Sequence, residues 1–143
     1  MIKIAVLVSG GGTNLQSLID NTKNGYIPGK IVLVISNNPD AYALKRAENE
    51  GIEHVVIKRE DFNDKEEFSK AIMKETKKRE VDLICLAGFL KKLGRNIIEE
   101  YKNRIMNIHP ALLPSYGGRG MYGKRVHKAV LEAGDTVSGC TIH

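Results

Sequence analysis

Ile2-Lys3-Ile4-Ala5-Val6-Leu7-Val8-Ser9-Gly10-Gly11-Gly12-Thr13-Asn14-Leu15 opens the chain. Lys3 apart, the run from Ile2 to Val8 is apolar at odd and even positions alike. A strand facing solvent on one side alternates; a strand covered on both faces does not, and that is the signature of a central strand in a parallel sheet. Three glycines then turn the chain, and Thr13 and Asn14 open a helix. A parallel strand, a glycine turn and a helix form the first half of a βαβ unit, which predicts an α/β fold.

The rest of the sequence repeats this alternation. Lys30 to Ser36 reads as a second strand, and Ala41 to Glu50 as a helix stopped at Gly51, a favourable residue just past a helix end. Glu53 to Ile57 reads as a third strand. Asn63-Asp64-Lys65-Glu66 has the spacing of an N-cap with a capping box. It starts a charged amphipathic helix whose apolar stripe runs through Phe68, Ile72 and Met73. Asp82 to Ala87 is a fourth strand, Arg95 to Tyr101 a short helix, and Arg104 to Ile108 a fifth strand. A glycine-rich loop, Gly117 to Gly123, then leads to a helix through Val126, Val130 and Leu131, and Val137 to His143 begins another strand. Right-handed crossovers between such strands give a Rossmann-like, doubly wound, mostly parallel sheet. Ligands of such sheets bind beyond the carboxyl ends of the strands, where the loops after strands one, four and five gather. The chain reads as a single domain over residues 1–143, without repeat or linker. It stops inside an apparent strand, so the domain is expected to be truncated at its C-terminal side.

Composition narrows the function classes. The 143 residues are 42% hydrophobic and 27% charged, ordinary for a water-soluble globular domain. No apolar run reaches the ~18 residues of a membrane helix, and the N-terminus is too short and strand-like for a signal peptide. Cys85 and Cys140 lie in apolar runs and read as reduced core residues, which fits a cytoplasmic location. No metal-ligand spacing occurs, so no metal is expected. The net charge of +5 is spread over helix faces (Lys45-Arg46, Lys77-Lys78-Arg79, Lys91-Lys92, Lys124-Arg125). It suits attraction of small anions better than nucleic-acid binding.

Two segments carry chemistry. The loop Ser9 to Asn14 lets the backbone approach a ligand and presents a helix N-terminus, which suits a phosphate. The dinucleotide pattern G-x-G-x-x-G fails at Leu15, the expected acid after strand two is replaced by Asn37-Asn38-Pro39, and no Walker Lys-Ser/Thr is present. A phosphate monoester is the better fit; a tight turn without ligand is the competing reading. The second segment is Asn107-Ile108-His109-Pro110-Ala111-Leu112-Leu113-Pro114. Strand alternation points Asn107 and His109 the same way at a strand end, and Pro110 stiffens that end. A hydrogen-bond donor beside a titrating ring is what a reaction through an oxyanion needs. Leu90-Lys91-Lys92-Leu93, after strand four, is a candidate cleft wall or else a solvated basic turn. Gly117 to Gly123 reads as a flap, and His54 and His127 as solvated.

These segments resemble a known family. Ser9-Gly10-Gly11-Gly12-Thr13-Asn14-Leu15-Gln16, Ala87-Gly88-Phe89, Asn107 to Pro114 and Gly139-Cys140-Thr141-Ile142-His143 occur in that order, as in the phosphoribosylglycinamide formyltransferases of purine biosynthesis. The resemblance implies formyl transfer from 10-formyltetrahydrofolate to the amine of glycinamide ribonucleotide. It implies that Gly12, Thr13 and Asn14 hold the ribonucleotide phosphate, and that Lys65, Leu90, Lys91, Lys92, Leu93 and Asn107 form the folate site. Asn107 and His109 match the catalytic pair. A third catalytic group, an aspartate, is implied shortly beyond the position of His143, so the 143-residue chain is expected to turn over poorly. The implied partners are these small molecules alone, on a monomer or homodimer. Three alternatives stay open: a sibling folate-dependent formyltransferase or formyltetrahydrofolate hydrolase, a non-catalytic Rossmann-type nucleotide-binding module, and a basic RNA-binding domain.

Overall fold

A computed structural model of the chain describes residues 1–108. Within them, five strands form one all-parallel sheet in the order β3-β2-β1-β4-β5. The strands are β1 (Ile2–Val8), β2 (Gly29–Ser36), β3 (His54–Val56), β4 (Leu83–Ala87) and β5 (Ile105–Ile108). The helices are α1 (Thr13–Lys23), α2 (Tyr42–Asn49), α3 (Lys65–Lys78) and α4 (Arg95–Glu100), with a single 3-10 turn at Arg59–Asp61.

The lack of alternation in β1 has its predicted cause. Ile4, Val6 and Val8 pack on one face with Leu15, Leu18 and Ile19 of α1 and Ala43 and Ala47 of α2. Ala5 and Leu7 pack on the other with Phe68 and Ile72 of α3 and Ile97 of α4. Every one of these side chains is buried. The two polar residues on the buried face of α3 have partners: Ser69 Oγ accepts the Gly94 N–H at 2.7 Å, and Thr76 Oγ1 accepts the Tyr101 hydroxyl at 2.9 Å. Neither therefore leaves a buried polar group unpaired, which would be the costly case. Cys85 is buried and His54 is exposed, both as expected.

Three details depart from the sequence reading. β3 is shorter than Glu53 to Ile57, because only Val34, Ile35 and Ser36 of β2 are its ladder partners. The cap of α3 is Asp64 rather than Asn63: Asp64 Oδ1 accepts the Glu67 N–H at 2.9 Å. The Glu66 carboxylate is engaged elsewhere, accepting the Arg95 N–H at 2.9 Å and tying the start of α3 to the start of α4. The register between β1 and β2 also slips, with Ile4 opposite Ile31 but Ala5 opposite Leu33, so Val32 is an extra residue. The helix through Val126, Val130 and Leu131, the strand from Val137, the loop Gly117 to Gly123, His109, His127 and Cys140 lie outside the described residues.

Candidate active site

The chain steps from β1 outward to β2 and β3, then returns to the other side of β1 for β4 and β5. The direction reverses between β1 and β4, and ligands of doubly wound sheets bind in the crevice at such a reversal. Ser9, the first residue past β1, joins the loops there. Its hydroxyl donates to Asn37 Oδ1 and accepts the Leu90 N–H at 2.9 Å, and its carbonyl accepts from Asn38 Nδ2 at 3.4 Å. The loops after β1, β2 and β4 therefore meet at one buried serine.

On the α1 side of the crevice, Gly12 is the N-cap of α1 in the left-handed conformation (φ 79°), with no side-chain cap and no acidic residue in the first turn. The N-terminal turn keeps its partial positive charge and its N–H groups uncapped by side chains, the condition for receiving an anion. Thr13 is exposed and Asn14 half-buried at this turn. A side chain at Gly10 or Gly11 would meet open space.

On the other side lies a cavity of about 270 Å³ lined by Lys65, Leu86, Phe89, Lys91, Lys92, Leu93, Ile98 and Asn107. Five of the six residues expected at a folate site, from α3, the loop after β4 and β5, thus line one space. Leu90 is the exception: its side chain is 81% exposed while its N–H is held by Ser9. Leu86, Phe89, Leu93 and Ile98 give an apolar floor, and three lysines stand around it. Phe89 stacks on the buried Phe68 at 6.3 Å between ring centroids, nearly parallel. Lys65 reaches this rim because Asp64 caps α3 and Asn96 Nδ2 donates to the Glu66 carbonyl at 3.0 Å. An apolar floor with three cations around it suits an anionic ligand with an apolar body.

Asn107 sits in β5 opposite Leu86 of β4, half-buried, with its side of the strand open to the cavity. His109 follows by two residues, outside the described part of the chain. Among the described residues no group of three or more His, Cys, Asp or Glu side chains is placed to hold a metal ion, and no helix is long and apolar enough to cross a membrane. The sequence reading missed Ser9 as a junction, Phe89 and Ile98 as cavity walls, and Arg46, which it left on a solvated helix face. Arg46 Nε donates to the Gly11 carbonyl at 2.7 Å.

Known proteins resemble this chain in sequence and in fold. The family model described as formyl transferase matches residues 2–143. A phosphoribosylglycinamide formyltransferase from Haemophilus influenzae is 45% identical over 143 residues, covering 100% of this chain and 65% of that protein. A trifunctional purine biosynthetic protein adenosine-3 from Drosophila melanogaster is 45% identical over 99% of this chain but only 10% of its own length. Among solved structures, glycinamide ribonucleotide transformylase 1 from Geobacillus kaustophilus superposes with a TM-score of 0.74 at 34% identity, covering 90% of this chain and 68% of that one. The Symbiobacterium toebii counterpart gives 0.75 at 37%, covering 90% and 60%. The chain spans less than two thirds of the first curated relatives it matches.

Proposed function

The chain belongs to the formyl transferase family, and from that premise we propose that it transfers a formyl group from 10-formyltetrahydrofolate to the amine of glycinamide ribonucleotide, a cytoplasmic step of purine biosynthesis. One observation carries the reading. The loop after β4 that supplies Lys91, Lys92 and Leu93 to the cavity shared with Lys65 and Asn107 is tied, through the Leu90 N–H on Ser9 Oγ, to the loop that leads into the uncapped start of α1, so the places for an anionic donor and a phosphorylated acceptor are joined at one end of the sheet.

In this reading Gly12, Thr13 and Asn14 hold the ribonucleotide phosphate at the start of α1. The pterin-like body of the folate lies against the apolar floor, and Lys65, Lys91 and Lys92 face its carboxylates, with Leu90 on the outer side of that loop. The neutral amine attacks the formyl carbon, and its electron pair displaces the C=O pair onto oxygen. Asn107 donates a hydrogen bond to that oxyanion. His109, in its protonated form, stabilises it and delivers a proton to the departing folate nitrogen as the oxyanion re-forms the C=O and the carbon–nitrogen bond breaks; the proton lost by the attacking nitrogen restores the imidazolium. Loss of one preorganised donor of this kind costs about 10²–10³ in rate. No metal takes part in any of these steps.

Calorimetric titration with each ligand tests the reading. Both should bind, and His109→Ala should remove the slow transfer expected of this chain while leaving folate affinity intact. Absence of folate binding would refute the proposal; folate binding without ribonucleotide binding would move the acceptor to another amine.

A further inference from the structure

Arg46 belongs by sequence to a basic pair on a helix surface, yet it is pinned from three directions. Its Nε donates to the Gly11 carbonyl at 2.7 Å, its Nη1 donates to Gln16 Oε1 at 3.2 Å, and its guanidinium lies 5.0 Å from the centre of the Tyr42 ring, one helical turn back. Gln16 is itself fixed: its N–H donates to the Gly12 carbonyl at 2.8 Å and its side chain donates to Asp20 Oδ1 at 3.0 Å. The start of α2 is seated on the same loop, because the Ala43 N–H donates to the Gly10 carbonyl at 3.1 Å.

These bonds decide where the loop's amides point. A trans peptide is planar, with C=O and the next N–H on opposite sides. Holding the Gly11 carbonyl toward Arg46 turns the Gly12 N–H away from α2, and holding the Gly10 carbonyl toward Ala43 does the same for the Gly11 N–H. Successive amides turned to one side form an anion-binding concavity, and Arg46 holds it from the opposite, carbonyl side of the loop. We propose that Arg46 is a positioning residue for phosphate binding: it holds the glycine loop in its anion-receiving form, and it affects the ribonucleotide and not the folate. This rests on the phosphate assignment made above. Arginine suits the role because its planar fork reaches two acceptors at once, which a lysine ammonium on a flexible stem does not.

The test is calorimetry on the 143-residue chain and its Arg46→Ala and Arg46→Lys variants, with glycinamide ribonucleotide and 10-formyltetrahydrofolate titrated separately and thermal midpoints recorded. Arg46→Ala should weaken the ribonucleotide by about tenfold, the worth of one charge-assisted hydrogen bond. Folate affinity should change by less than about twofold. Arg46→Lys should recover part of the loss, since it keeps the charge but not the fork. Glycinamide riboside, which lacks the phosphate, should bind wild type and Arg46→Ala alike. Unchanged ribonucleotide affinity in Arg46→Ala would overturn the inference. So would a parallel loss of both ligands with a lowered midpoint, which marks a role in the fold alone. Failure of the wild-type chain to bind the ribonucleotide at all would instead overturn the phosphate assignment, and this inference with it.

Discussion

Gly12→Ala places a methyl group where two independent constraints oppose it. Gly12 has φ 79° and ψ 28°, a region in which an L-residue is disfavoured by about 1–2 kcal/mol. The added Cβ would also lie 2.6 Å from Ala43 Cβ, 2.9 Å from Ala43 Cα and 3.2 Å from Arg46 Cδ. Two of these three atoms belong to the rigid start of α2 rather than to the end of a flexible chain, so α2 must shift. Overpacking of this kind costs about 1–3 kcal/mol, and the two terms together predict a loss of about 2–5 kcal/mol. Urea denaturation measures it, with an unchanged m-value to show that the change is in stability.

The same geometry predicts a coupling. Ala43→Gly alone should cost about 1 kcal/mol through helix propensity. In the double variant the Cβ–Cβ overlap is gone but the contact with Ala43 Cα and the left-handed strain persist. The double variant should therefore be more stable than the sum of the single losses by about 1 kcal/mol. A Gly12→Ala loss below about 0.5 kcal/mol, or strict additivity with Ala43→Gly, would refute the claim that α2 is pressed against the glycine loop.

Ser9→Ala strips the Leu90 N–H and Asn37 of a shared buried partner and should cost about 1–3 kcal/mol by chemical denaturation, with weaker folate binding as the loop after β4 loosens. Tyr101→Phe removes the buried hydroxyl bond to Thr76 and should cost about 0.5–1.5 kcal/mol in the same assay. Lys65→Ala should reduce folate affinity by less than about tenfold, with the deficit shrinking at high salt, because Lys65 is exposed and its field is screened. The hydrogen bond from Lys77 and then its charge hold the Glu100 carboxyl below its ordinary range. A carboxyl depressed on folding contributes stability above its unfolded value and loses it as the pH falls through the folded value. Lys77→Ala should therefore raise the Glu100 titration midpoint in carbon-detected NMR and flatten the acid limb of the stability profile.

Which features the sequence disclosed follows from how far apart the interacting residues lie along the chain. β1 was readable because burial on both faces is written in consecutive residues, and the glycine turn because it follows directly. That the sheet is parallel and doubly wound followed from the alternation of elements, whereas the order β3-β2-β1-β4-β5 is given by the structure alone. The extra residue at Val32 and the short β3 were not readable, because register depends on what the neighbouring strand offers. The shift of the α3 cap from Asn63 to Asp64 had a similar cause: both residues can cap, and the choice follows from Glu66 being drawn to Arg95 on another helix. Lys65 illustrates the same limit at the cavity. Nothing in the sequence around it separates it from the other lysines of α3; only the resemblance to a family singled it out, and the tie between the starts of α3 and α4 puts it on the rim. Arg46 is the sharper case. A Lys-Arg pair on a short helix is normally a solvated surface, and the local pattern gives no reason to treat it otherwise. The usable signal was Ala43, a small residue one turn earlier, matched to a three-glycine loop elsewhere in the chain. Small residues on both sides allow two backbones to approach, and a long cation one turn further on can then reach across. Whether Arg46→Ala spares folate while weakening the ribonucleotide decides whether that close approach serves binding or only packing.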